Sequence, residues 1–234
     1  LSANQNESIA QFNLGKIYYE NKHFQRDIQK AIHYFLLSAN QNNHNSQCYL
    51  GNIYFEGKYV SRNIDKAIYY YELVGHIYLQ AMYNLSRIYE KYKKPFDSTC
   101  LEKSTYYLYS AARFGFPQAQ YKLGSQLYQN FFLPNRKNDA IMLLTYAANK
   151  NHPKAQYYIG MINLEGIYMP KNINKAIEYL TKSANQNYDK AQFILGDLYY
   201  KGVCVQQDID KSIYYLSLSA KQNNSSAQYT LGFM

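Results

Sequence analysis

Apolar residues recur along this chain at helical spacing, in short blocks that themselves recur. Near the start, Ala10, Leu14, Ile17 and Tyr18 stand at i, i+4, i+7 and i+8, on one face of a helix. After a polar gap, Ile28, Ala31, Ile32, Phe35 and Ala39 mark the face of a second helix. Both blocks then return along the whole sequence. The first carries an Ala-x-x-x-apolar-small motif ending at Gly15, Gly51, Ser86, Gly124, Gly160, Gly196 and Gly232, with Ser46 replacing the alanine once. Successive steps are 36, 35, 38, 36, 36 and 36 residues. The second opens on Lys30-Ala31, Lys66-Ala67, Lys103-Ser104, Lys175-Ala176 or Lys211-Ser212, and places a tyrosine four residues after the lysine (Tyr34, Tyr70, Tyr107, Tyr179, Tyr215). It closes on a small pair such as Ser38-Ala39, Ala147-Ala148 or Ser183-Ala184.

Local signals bound these elements. Asp27, Asn63, Asn172 and Asp208 stand where the second helix begins, and their side chains can accept from its free N–H groups. Asn6, Asn42, Gly115, Asn151, Asn187 and Asn223, all tolerant of a left-handed backbone, stand where it ends. Gly57, Gly166 and Gly202, with Asn21 in the same place, mark the turn inside the pair. A mid-helix glycine costs roughly 1 kcal/mol against alanine. The expected offset is close approach of the first helix to the small pair of the second. Each hairpin leaves an apolar edge that only the next can cover, so the units must stack. The prediction is an all-α solenoid of antiparallel helix hairpins, about six repeats of ~36 residues. One array spans 1–234, with repeats at approximately 10–45, 46–80, 81–118, 119–154, 155–190 and 191–226 and partial repeats at 1–9 and 227–234. Because both ends fall inside a unit, the expectation is a fragment of a longer array.

The pattern A-x-x-x-L-G-x-x-Y, a glycine turn, then D-x-x-K-A-x-x-x-Y-x-x-A-A resembles that of the Sel-one-like repeat (SLR) proteins, relatives of the tetratricopeptide repeats. Ala191 to Tyr199 followed by Lys211-Ser212 shows it well. Repeat three departs with Ser86 for glycine and a longer loop containing Pro95, and repeat four with Leu127, Leu143 and Asp139 at tyrosine and lysine positions. The resemblance covers essentially the whole chain. It implies a right-handed α-α superhelix whose first helices line a concave, peptide-holding side. It also implies adaptor roles, as in protein quality control at the endoplasmic reticulum or beside signalling domains.

Counted from the small residue as position zero, the core stripe of the first helix is −5, −1, +2 and +3. A second stripe runs through −3, +1 and +4. Position −3 holds Phe12, Cys48, Tyr83, Tyr121, Tyr157, Phe193 and Tyr229, and +4 holds Tyr19, Phe55, Glu90, Tyr128, Leu164 and Tyr200. Between them +1 is mostly polar, with Lys16, Asn52, Arg87, Ser125, Met161 and Asp197. The resemblance makes this stripe an aromatic-walled groove for a peptide or protein partner, with Phe12, Lys16, Tyr19, Asn52, Phe55, Tyr83, Arg87, Tyr121, Tyr128, Tyr157, Phe193 and Tyr200 as contact residues. The competing reading packs the −3 aromatics between adjacent first helices. Of 29 tyrosines, Tyr18, Tyr54, Tyr89, Tyr199 and the five of the second helices are expected in the core. The +4 column has no evident structural duty.

Composition adds limits. The formal charge of +9 favours an acidic partner, but the Lys and Arg residues spread through every repeat, with no dense block beyond Lys91, Lys93 and Lys94. Cys48, Cys100 and Cys204 stand at unrelated repeat positions, which favours free thiols in a reducing, cytoplasmic compartment and gives no zinc site. No apolar run is long enough for direct membrane insertion. The five histidines fall out of register, and no phosphate loop or nucleophile motif is present. Glu20, Glu56 and Glu165 recur at +5 as a column beside the groove. The expectation is therefore a protein-binding scaffold or adaptor, with no catalytic residue, cofactor, metal or small-molecule substrate. The alternatives are a targeting arm of a larger signalling enzyme such as a kinase and, behind that, a basic nucleic-acid-binding array.

Overall fold

A computed structural model describes the backbone of residues 2–20, 26–92, 98–130 and 136–234, with side chains from Glu7 onward. Among the described residues it forms thirteen helices and no strand. These are α1 (Ser2–Glu20), α2 (Ile28–Ala39), α3 (His44–Glu56), α4 (Ile64–Val74), α5 (Leu79–Lys91), α6 (Ser98–Arg113), α7 (Pro117–Gln129), α8 (Lys137–Asn149), α9 (Pro153–Glu165), α10 (Ile173–Asn185), α11 (Asp189–Lys201), α12 (Ile209–Ala220) and α13 (Ser225–Phe233). Odd-numbered helices are the first of each hairpin (A) and even-numbered the second (B). The chain forms two compact units, 1–114 and 115–234. Within each, an A helix packs against its own B helix, and each B helix against the A helix that follows. The boundary falls between repeats three and four, where the sequence pattern is most irregular.

The predicted punctuation forms. Asp27, Asn63, Asn172 and Asp208 each accept from the backbone N–H three residues on, at 2.9–3.0 Å. Asn42, Asn151, Asn187 and Asn223 adopt positive φ of 59–63°, and Gly115 87°, after their B helices. Gly57, Gly166 and Gly202 cap α3, α9 and α11 at φ of 62–71°. Asn21 and Pro95 lie outside the described residues. Asn6 does not end a helix. That segment is part of α1.

The mid-helix glycine answers to a different neighbour than expected. A Cβ on Gly51 would lie 2.7 Å from the Tyr71 ring, and one on Gly160 2.7 Å from Leu180 Cγ. The facing residue is thus a large B-helix side chain, with Phe35, Leu144 and Leu216 in the other hairpins, and each is fully buried. The glycine makes a socket for the knob that fills the hairpin. The small pair instead meets the start of its own A helix. Ser183 and Ser219 donate to the carbonyls of Pro153 and Asp189, both at 2.8 Å.

Two further devices repeat. The glutamine at −4 donates to a carbonyl in the last turn of the preceding B helix. Gln47 reaches Ala39, Gln156 Ala148 and Gln192 Ala184, at 3.1–3.3 Å. Each of those carbonyls also accepts the backbone N–H of the asparagine three residues on, at 2.9–3.0 Å, so the glutamine adds a second hydrogen bond worth about 1 kcal/mol. The family-position tyrosines are not a buried core, as expected, but a stack at the hairpin edge. Tyr18 and Tyr34, Tyr54 and Tyr70, Tyr89 and Tyr107, and Tyr199 and Tyr215 lie nearly parallel (2–8°) at 5.7–6.1 Å. The B-helix lysine covers the first ring of each pair at 5.0–5.4 Å. Only Tyr89 is buried. Packing one long side chain on each ring leaves the phenol edge in water.

The expected core face of α1 is also exposed: Leu14 at 39% and Ile17 at 58%. The equivalent Leu50 and Ile53 of α3 are buried beneath α2. Among the described residues α1 has no preceding B helix to cover that face.

Candidate functional site

The second stripe lies on the A helices as predicted, but many of its aromatics have a packing partner. Phe12 and Tyr19 of α1 both meet Tyr49 of α3, edge to face at 5.7 and 5.8 Å. In the second unit, Tyr121 and Tyr128 of α7 meet Tyr158 of α9 at 5.9 and 6.1 Å. Position −2 of the next A helix is therefore the hub, and the +4 column helps to hold A helices together. Each hub hydroxyl is tied to +5 of the helix before. Tyr49 donates to Glu20 at 2.8 Å, and Gln129 donates to Tyr158 at 2.7 Å. Loop tyrosines close the far side, with Tyr59 against Tyr19 and Tyr168 against Tyr128. These hub and loop residues escaped the sequence reading, although Tyr49 and Tyr158 recur at one register and 29 residues from their +5 partners.

The remaining stripe residues are placed as follows. Lys16 is exposed and pairs with Glu20 at 3.7 Å. Asn52 accepts from the buried Tyr71 hydroxyl at 2.7 Å. Phe55 contacts Tyr71 and Tyr92 edge-on and carries the Arg87 guanidinium at 5.3 Å. Arg87 also lies 5.9 Å from the Tyr83 ring. Tyr157 meets Tyr158 and Tyr188 at 5.9 and 5.4 Å. Phe193 and Tyr200 are half-buried on α11. Cys48, at −3 of α3, packs against the α4–α5 cluster, and burial pushes its thiol up.

Electrostatically the phenols stay protonated. Burial first, then Glu165, pushes Tyr128 up to about 12, and burial with the Glu20 hydrogen bond does the same for Tyr49. Tyr19, Tyr83 and Tyr157 shift upward too, burial leading in each. At neutral pH the stripe offers neutral hydroxyls and apolar ring surface, which suit contact and orientation rather than proton abstraction. Among the described residues, no three His, Cys, Asp or Glu side chains gather as a metal site.

A cleft opens on this stripe in each unit. In the first, about 690 Å³ lies between α3 and α5, lined by Asn52, Phe55, Glu56, Arg62, Asn84 and Arg87 among others. In the second, about 360 Å³ lies over α7 and α9, walled by Tyr121, Tyr128, Tyr157, Tyr158 and Tyr188, with Glu165 alongside. A different exposed surface lies on the B helices. Tyr69, Tyr106 and Tyr214, at 60–66% exposure, each precede a stacked tyrosine. The Tyr-Tyr doublets Tyr69-Tyr70, Tyr106-Tyr107 and Tyr214-Tyr215 were the available signal.

Stacked hairpins held by a recurring socket, cap and tyrosine pair define an α-helical repeat protein. The Sel1 repeat family model matches residues 8–43, 44–73, 79–91, 117–152, 153–188 and 189–224, and the chain belongs to that family. The longest unmatched stretch, 92–116, falls in irregular repeat three. The chain is similar to a protective antigen present in uropathogenic Escherichia coli strains that displays an SLR fold. Identity is 27% and the TM-score 0.78, over 96% of this chain and 48% of that one. It is also similar to a Sel1 repeat protein from Oxalobacter formigenes, at 25% identity and a TM-score of 0.66, over 99% and 67%. An immunity protein from Pseudomonas aeruginosa shares the fold, at 18% identity and a TM-score of 0.59, over 92% and 81%. The chain thus spans about half of the first relative. No curated protein sequence matches significantly. Sel1 repeat proteins are generally protein-interaction scaffolds. No helix among the described residues is long and apolar enough to cross a membrane.

Proposed function

We propose that this chain is a scaffold that holds a protein partner on its A-helix face, through the clefts of its two units. One observation carries the reading. Both clefts fall on the same register columns, +1 and +4, although they lie in separate compact units. A half-buried aromatic wall beside polar groups supplies contact area at small entropic cost.

The B-helix face supports a second reading, because Tyr69 and Tyr106 are exposed at 60% and 66%, more than any A-helix aromatic before α13. The two are separated by affinity capture with quantitative mass spectrometry. Arg87→Glu and Glu165→Lys change the A face, and Tyr69→Ser with Tyr106→Ser changes the B face, all at exposed side chains. The A-face variants are expected to lose the partners that the B-face variant keeps. The reverse pattern, with unchanged helicity, overturns the assignment.

A further inference from the structure

At the α1–α3 and α7–α9 steps, a hub tyrosine fills the space between successive A helices and bonds the +5 side chain before it. At the α3–α5 step, Asn84 stands in the hub position. Its amide turns inward and donates to Tyr71 at 2.8 Å, while Gln80 donates to its oxygen at 3.1 Å. The volume of the missing ring is left open as the first unit's cleft, and the +5 carboxylate, Glu56, lines it with no tyrosine hydroxyl to accept.

The charges around this opening are uneven. Lys58, Arg62 and Arg87 line it against the single carboxylate of Glu56, and among the described residues none of the four forms an ion pair. The two guanidinium groups are held in place by rings. Arg87 lies 5.3 Å from the Phe55 centroid and Arg62 5.8 Å from that of Tyr92, and the two rings meet edge-on at 6.3 Å. Arg62 is further fixed by donating to the Tyr92 hydroxyl and the Glu56 carbonyl, both at 3.3 Å. A guanidinium anchored on a ring keeps N–H groups for a bidentate acceptor and loses little further freedom on binding it. Asn52, whose oxygen is occupied by Tyr71, keeps its NH₂ as a donor on the same wall.

We propose that this cleft binds an extended acidic segment of the protein partner, with an Asp or Glu carboxylate held by Arg62 and Arg87 and a neighbouring peptide carbonyl by Asn52. The proposal rests on the scaffold reading above. The net positive lining selects a carboxylate over a basic side chain. Phe55 and Tyr92 already carry guanidinium groups, so a nucleic-acid strand would lack free stacking rings there.

The test is fluorescence anisotropy on the whole chain. The probes are labelled peptides of Leu and Phe interspersed with Asp and Glu, their Asn/Gln and Lys counterparts, and an oligouridine. Acidic peptides should bind tightest and weaken as salt rises. Arg62→Gln and Arg87→Gln should each weaken them about tenfold or more, the loss of a charge-assisted bond. Lys175→Gln, an equal charge change elsewhere, should not. Asn84→Tyr, which supplies the ring found at the α1–α3 and α7–α9 steps, should block binding while far-UV circular dichroism stays unchanged. Peptide binding without charge preference, or indifferent to both arginines, overturns the cleft assignment and leaves the scaffold reading standing. Preference for the oligouridine, or no peptide of any charge binding, overturns both.

Discussion

Replacing Gly51 with alanine tests the socket that orders each hairpin. Two effects of opposite sign compete. Alanine in mid-helix gains about 1 kcal/mol over glycine through propensity. Against this, the new Cβ would stand 2.7 Å from Tyr71 Cδ1 and Cε1 and 3.2 Å from Cγ. The ring cannot swing aside freely. It is fully buried, and its hydroxyl is tied to Asn52 at 2.7 Å and Asn84 at 2.8 Å. Overpacking of a well-filled core costs roughly 1–3 kcal/mol, and a ring held by two buried hydrogen bonds belongs at the upper end. The expected net effect is a loss of about 1–2 kcal/mol. Gly232→Ala is the matched control, at the same motif position with no heavy atom within 4 Å of the added Cβ. It should be neutral or gain a few tenths of a kcal/mol, since it lies near a helix end. Urea titration followed by far-UV circular dichroism gives both values. A Gly51→Ala midpoint that matches or exceeds wild type would refute the socket.

Three further outcomes follow from the geometry. His152 caps α9 by accepting from the Ala155 N–H at 3.3 Å and stacks on Tyr121 at 4.6 Å, and burial, then Lys154, pulls its pKa down to about 4. The unfolded chain takes up this proton first, so stability should fall as pH drops from about 6.5 towards about 4. Asn43 and Asn224 make the same cap in other repeats, so His152→Asn should keep the cap and remove that part of the pH dependence; an NMR titration midpoint for His152 at or above 6.5 would contradict it. Gln192→Leu should cost about 1 kcal/mol by removing the side-chain hydrogen bond to the Ala184 carbonyl, which keeps the Asn187 N–H at 2.9 Å, and hydrogen exchange should quicken first around the end of α10. Lys137, buried in α8, donates to the carbonyls of Tyr128 and Asn130 where other hairpins use a left-handed glycine, so Lys137→Met should loosen the end of α7, read by exchange of its last turn. Unchanged exchange there would mean the ammonium is dispensable.

Hairpin order, caps and left-handed asparagines were legible in the sequence because each depends on residues a few positions apart. The glycine socket was half legible. Its cost pointed to close approach, but the knob lies 20 residues away, and nothing local distinguishes Tyr71 from the small pair that follows it. The spacing of the stripe was legible, while the packing contacts of its +4 column were not. Whether Tyr19 faces solvent or Tyr49 depends on the next repeat, and the same holds for Tyr128 and Tyr158. The cleft of the first unit needed the comparison turned round. It exists through what Asn84 omits, and a missing ring shows only when sibling steps are laid over it.

The stacked tyrosine pairs carry a spectroscopic consequence. The chain has no tryptophan, so its near-ultraviolet optical activity comes from phenol rings with no indole band across them. Parallel rings about 6 Å apart couple their transitions only while the hairpin is closed. Three of the four pairs lie in α1–α6 and one in α11–α12, because Leu127, Leu143 and Asn163 interrupt the series between. The stacked pairs, though not the tyrosines themselves, are thus unevenly spread, and the part of the signal that comes from those pairs would report chiefly on the first unit. Far-ultraviolet helicity reports on both, so the two melting curves together would time the opening of one unit against the other without any label.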